Sequence, residues 1–240
     1  MNVVVLDRAL AINPNDVDTK AARGLTELDW KANTRPLHQA IDSIRAENPA
    51  GIRNVADTWL ICALAERDAS AAGNALVALS ENTFGNDGVR LTPAFGEGLI
   101  ARMTKDESKA RSAFTAARAQ QEKVVQAQPE YGPAHCVLGL IDAGLGRKDD
   151  ALREGRRAIE LLPVAKDSIN GAHMIEYFGI IAAWVGEKNL AVEQVANATR
   201  LPGYGTISYG QLKLLPYWDP LRGDPRFEKI VASLAQKDAK

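Results

Sequence analysis

Cysteine is scarce in this 240-residue chain, which holds only Cys62 and Cys136. The two lie far apart, with no second Cys or His at ligand spacing beside either. That argues against both a disulfide framework and a zinc site and fits a reducing compartment. An excess of one charge is also lacking: 29 Lys and Arg face 30 Asp and Glu, for a net charge of −1. No global field therefore draws the molecule to nucleic acid or to an anionic membrane. Long apolar runs are missing too. The opening MNVVVLDRALAINP has one short apolar run broken by Asp7 and Arg8, which is not a secretory signal. The most apolar later stretch, MIEYFGIIAAWVG at 174–186, carries Glu176 and is too short to span a bilayer. The expectation is a soluble protein, cytoplasmic by default.

Strands are the next absence. No stretch alternates apolar and polar residues, and no hairpin signal bounds a β-branched run. Ala and Leu instead recur at three- and four-residue spacings, which predicts helices over 2–12, 17–31, 35–48, 53–66, 69–80, 91–103, 107–128, 131–145, 149–162, 169–186, 189–200 and 224–236. The short separations make successive helices antiparallel neighbours, so the fold class is all-α.

The helices carry a repeat. Leu138-Gly139 aligns with Phe178-Gly179, and each Gly is followed at equal spacings by Ala151 and Ala158, or by Ala191 and Ala198. Pro163 and Pro202 close the two units. Gly98 leads in the same way to Ala110, Phe114 and Ala117, Ala9 precedes Pro14, and Gly24 and Pro49 bracket a further copy. Such small residues let paired helices approach closely, and Pro ends the second helix. The pattern resembles the tetratricopeptide repeat. It covers nearly the whole chain, most clearly over 132–163, and least over 53–80, where Leu60, Ala72, Leu76 and Leu79 stand without the Gly and the Pro. The resemblance implies a right-handed α-solenoid of antiparallel helix pairs spanning 1–240, with weaker repeats in 1–80 and clearer ones in 91–202.

Two irregularities interrupt the pattern. The Gly/Asn-rich connection ENTFGNDGVRLT at 81–92 is a candidate hinge between sub-arrays. The helix at 107–128 overruns a standard second helix and is expected to project from the stack or to shift its path. The chain also opens with ALAINPND, the end of a unit whose first helix is absent, and is therefore expected to be part of a longer protein.

The C-terminal run LPYWDPLRGDPRFEKIV at 215–231 has the character of a cap, within a capping segment at 203–240. Asp224-Pro225 starts a helix. Phe227, Ile230, Val231 and Leu234 then form one apolar face, opposite Arg226, Glu228, Lys229 and Ser233. Tyr217 and Trp218, pinned by Asp219-Pro220, are expected over the end of the 189–200 helix. The run is similar to the C-terminal ends of repeat arrays in large bacterial multidomain proteins, which carry a kinase, cyclase or winged-helix module upstream.

Chemistry has few footholds. His135 and Cys136 are adjacent and so diverge on a helix. Gly96-Glu97-Gly98 and Gly203-Tyr204-Gly205 lack the strand context of a phosphate loop, and Asn86-Asp87-Gly88 lacks the further ligands of a calcium loop. The other two histidines are His38 and His173. No enzyme, no cofactor and no metal are expected. Arg147, Lys148, Arg153, Arg156 and Arg157 are interleaved with Asp149, Asp150 and Glu154, with Asp149→Arg153 as the expected pair, which describes a solvated face. The resemblance implies a concave groove lined by first helices, here Phe95, Leu99, Met103, Cys136, Leu140, Glu176, Tyr177, Ile180 and Trp184. The basic residues with which some members of the family hold a peptide carboxylate are missing from this set. The expectation is a non-catalytic scaffold or sensory module that binds an apolar peptide or helix, from a partner or from its own parent protein. The alternatives are a small-molecule sensor or enzyme using the 173–184 cluster, and a nucleic-acid-binding solenoid using Arg153, Arg156 and Arg157.

Overall fold

Several helix starts in this chain are set by short acceptor side chains, and the computed structural model, which describes residues 3–86, 88–201 and 207–235, shows them engaged. Asp16 accepts from the Thr19 N–H at 2.8 Å, Asp68 from Ala71 at 2.8 Å and Asp106 from Lys109 at 3.0 Å. The resulting helices are α1 (Val3–Ile12), α2 (Val17–Lys31), α3 (Arg35–Glu47), α4 (Ala56–Ala65), α5 (Ala69–Leu79), α6 (Pro93–Met103), α7 (Glu107–Ala127), α8 (Gly132–Gly144), α9 (Lys148–Leu161), α10 (Asn170–Trp184), α11 (Lys188–Ala198), α12 (Tyr209–Leu214) and α13 (Pro225–Leu234). Pro49–Val55 and Pro216–Leu221 are 3₁₀ turns. The chain is all-α: among the described residues the sole extended pairing is a bridge between Phe84 and Leu91. No helix of the described residues is long and apolar enough to cross a membrane. Pro202, Gly203-Tyr204-Gly205, Asp87 and the predicted helix ends at 2 and 236 lie outside the described residues.

Contacts gather the described residues into two compact units. The first comprises 3–80 with 208–216 and 231–235, and the second 81–201 with 217–230 and Ile207. In the first, α2 pairs with α3 and α4 with α5. A Cβ on Gly24 would lie 2.6 Å from the Leu37 Cα, so only glycine lets α2 and α3 meet there. The short helix α12, which helical periodicity had not signalled, packs on α2. Ser208 and Gln211 both donate to Asp29 Oδ1, at 2.8 and 3.0 Å, and Gly210 sits directly on the Leu28 carbonyl.

The second unit stacks three pairs, α6/α7, α8/α9 and α10/α11, and each pair packs on the next. The small residues of the repeat pattern mark the contacts: Ala117, Ala151, Ala158 and Ala191 are fully buried. A Cβ on either Gly98 or Gly144 would come within 2.8 Å of the Phe114 ring, and one on Gly155 within 2.5 Å of the Phe178 ring. The overrun of α7 does not project. Its Gln121 is buried and donates to the Ala134 carbonyl at 2.9 Å, which fastens the added turns to the start of α8.

Candidate functional site

The sequence assigns nine residues to the groove or to the contacts between its helices, and the second unit places eight of them in its interior. Phe95, Leu99, Cys136, Leu140, Glu176, Tyr177, Ile180 and Trp184 are buried, and Met103 is half-buried. Buried side chains offer no open surface. Two segments of the chain itself meet the ends of α10, a loop through Asn86 and a turn through Tyr217.

The loop is the connection read from sequence as a hinge. Phe84 and Leu91 exchange backbone hydrogen bonds of 2.9 and 2.7 Å. Arg90 crosses the loop to the Thr83 hydroxyl at 3.1 Å and to the Gly85 carbonyl at 2.8 Å. Phe84, Val89 and Leu91 are buried, so the loop is packed on its own unit. From it Asn86 reaches His173 Nδ1 at 3.1 Å, near the start of α10.

The turn covers the other end of α10. The Trp184 indole N–H donates to the Tyr217 carbonyl at 2.9 Å, and the two rings stack with centroids 6.1 Å apart. Phe95 stacks on Trp184 at 6.3 Å, and Phe114 meets Phe95 edge-on at 5.5 Å. The Arg102 guanidinium lies 4.5 Å over the Trp184 ring, and burial holds it below its ordinary pKa. Trp218 is buried against Phe227 of α13. Tyr217 therefore covers the end of α10 and not, as expected, that of α11. α11 is reached instead by Arg226, which donates to Asn189 at 2.7 Å.

Between loop and turn lies a buried polar cluster. Glu176 sits 3.5 Å from His173 Nδ1, at the outer edge of a hydrogen bond. Burial pushes the Glu176 carboxyl up to about 7, against the opposing pull of His173. The phenols of Tyr177 and Tyr217 and the Cys136 thiol are all raised, first by burial and then by the nearby Glu176 charge. A thiol held in its protonated form is not a nucleophile. Sequence reasoning placed Glu176 and Tyr177 here, offered the 173–184 cluster that begins at His173 as an alternative site, and passed over Asn86, Arg90 and Arg102. The aromatic pair in LPYWDP was the one available signal for Tyr217.

The remaining candidates are accounted for by partners. His135 is held between Glu154 at 2.7 Å and the Pro129 carbonyl at 2.8 Å. On the basic face Arg147 pairs with Asp150 at 2.9 Å, Arg153 with Asp150 at 2.8 Å and Arg157 with Glu130 at 3.0 Å. Asp150 and Glu154, not the expected Asp149, are the ion-pair partners of Arg153, at 2.8 and 3.1 Å. Among the described residues one group has donor atoms close enough for a metal ion: His38, Cys62 and Glu66, in the first unit.

No family model matches the chain, and no curated protein does. Among solved structures, a thermophilic tetratricopeptide-repeat protein of Thermus thermophilus is similar over 97% of this chain and 88% of its own, at 18% identity. Its TM-score of 0.34 is too low to carry the fold assignment, which rests on the helix pairing described above.

Proposed function

We propose that this chain is a non-catalytic protein-interaction module whose α6/α10 face accepts an apolar, aromatic segment. The observation that carries the reading is the seating of Tyr217 on that unit: an indole N–H to main-chain carbonyl bond plus ring stacking, on a face of buried aromatic and aliphatic residues. Main-chain recognition with an aromatic anchor is how peptide grooves hold extended ligands. The face is taken by the chain's own turn, so a partner segment would compete with an internal one. The partner is accordingly a peptide or helix with an aromatic anchor, supplied by another protein or by further sequence of the same one.

The test is a fluorescent peptide with the sequence of residues 213–222, KLLPYWDPLR, titrated by anisotropy against the native chain and a Tyr217→Ala variant. Binding to the variant, with little to the native chain, supports the module. Absence of binding to a variant that keeps its helical circular dichroism removes the reading.

The alternative of a small-molecule sensor or enzyme has one observation in its favour, the carboxyl of Glu176 tuned near neutrality beside His173. The nucleic-acid alternative is disfavoured by the ion pairs that neutralise Arg147, Arg153 and Arg157.

A further inference from the structure

We infer that His38, Cys62 and Glu66 form a binding site for a thiophilic divalent cation such as Zn²⁺, with Asp42 as the group that orients the histidine. His38 and Asp42 lie one turn apart on α3, and Cys62 and Glu66 stand at the same spacing along α4 and its C-terminal cap. An i, i+4 pair shares a helix face, so two such pairs on packed helices converge on one point. Convergence is observed: one donor atom from each of His38, Cys62 and Glu66 lies within 4.8 Å of the other two. A tetrahedral zinc ion separates thiolate and imidazole donors by about 3.5 Å, so an adjustment of about an ångström closes the set.

The histidine is already posed for the task. Its Nε2 lies 3.3 Å from Asp42 Oδ2 and its Nδ1 2.7 Å from Glu66 Oε2. A carboxylate on one ring nitrogen fixes the tautomer that leaves the other nitrogen free to ligate, an arrangement found behind metal-bound histidines. Asp42 is in turn held by Arg45, whose guanidinium is 3.4 Å from Asp42 Oδ1 and 5.0 Å over the Trp59 ring. The donors open onto a cavity of about 180 Å³, which gives an ion a way in. One thiolate, one imidazole and one carboxylate are a borderline-soft set, suited to Zn²⁺ and poorly suited to Mg²⁺ or Ca²⁺.

The same groups explain what holds the cluster together without a metal. Glu66 hydrogen-bonds His38 and raises its pKa, and burial pushes the Cys62 thiol up to about 12.

Co²⁺ serves as the probe, because a bound thiolate gives it a charge-transfer band that neither hexaaqua Co²⁺ nor a carboxylate site shows. The native chain is expected to develop this band at one equivalent and to give it up to Zn²⁺. Cys62→Ala abolishes the band, His38→Gln and Glu66→Gln weaken binding, and Asp42→Asn weakens it by about 10–100-fold. The His38 side chain is half exposed, so His38→Gln folds normally, and its melting temperature should be indifferent to Zn²⁺ where that of the native chain rises. A native chain that shows no band overturns the inference. So does a band that survives Cys62→Ala, which would move the thiolate to Cys136.

Discussion

The indole N–H of Trp184 and the main-chain carbonyl of Tyr217 are hydrogen-bonded at 2.9 Å beneath stacked rings. The contact ties the C-terminal turn to the last turn of α10 and hides the face on which the interaction reading depends. Trp184→Phe keeps a ring in place but leaves that carbonyl without its donor. It should cost about 1–2 kcal/mol of stability in urea unfolding. Trp184→Ala also removes the ring on which Phe95 and Tyr217 stack and should cost about 3–5 kcal/mol.

Glu176 makes stability depend on pH. Its folded pKa, about 7, lies above the 4.5 of a free carboxyl. The folded state therefore holds the proton more tightly than the unfolded state between those values, and stability falls as pH rises through that window. The swing approaches about 3 kcal/mol. Glu176→Gln should flatten this part of the profile and be the more stable protein at about pH 8, with the difference vanishing near about pH 4. Chemical denaturation at several pH values measures it.

Asp142 is buried, with Arg118 Nε at 2.7 Å and Arg147 Nε at 3.3 Å. Burial raises its carboxyl pKa even so, with Arg118 the first group opposing the rise. Arg118→Ala leaves the charge short of its nearest partner and should cost about 3 kcal/mol at neutral pH. Part of the loss returns as the solution is acidified and Asp142 takes up a proton. Melting temperatures at two pH values separate this effect from lost packing, which acid would not restore.

Two glycines should respond to alanine in opposite directions. Gly210 rests on the Leu28 carbonyl, and a methyl group there would fall far inside van der Waals contact with backbone that cannot move aside. Gly210→Ala should detach α12 from α2 and cost more than about 2 kcal/mol. Gly73 lies within α5 and faces open space. Gly73→Ala should stabilise by about 0.5–1 kcal/mol, because alanine loses less backbone entropy in a helix. The pair of melting curves is the check.

Periodicity placed the long helices because their apolar spacing is a local property. The Gly and Ala pattern located close helix contacts because a missing Cβ is decisive wherever two backbones touch, as at Gly24 and Gly98. α12 escaped because its six residues are too few to show a period, and its place is set by Asp29, far away in sequence. The contacts at the two ends of α10 were out of reach, because Asn86 meets His173 and Tyr217 meets Trp184 across distances in sequence that no spacing connects. The same limit hid the cation site. Cys62 has no histidine near it along the chain, and His38 becomes its neighbour only when α3 packs on α4.

The seating of α12 on α2 has a consequence for synthesis. Residues 208–216 complete a unit otherwise built almost entirely from residues 3–80. On a ribosome adding about 10 residues per second, Leu28 and Asp29 would wait on the order of ten seconds for Gly210 and Ser208 to emerge. The early helices can pair during that interval, but their final covering arrives only after most of the second unit has been made. A nascent chain stalled before that point would present an uncovered face to chaperones and proteases, and a premature stop there would harm the residues already made as much as those it removes.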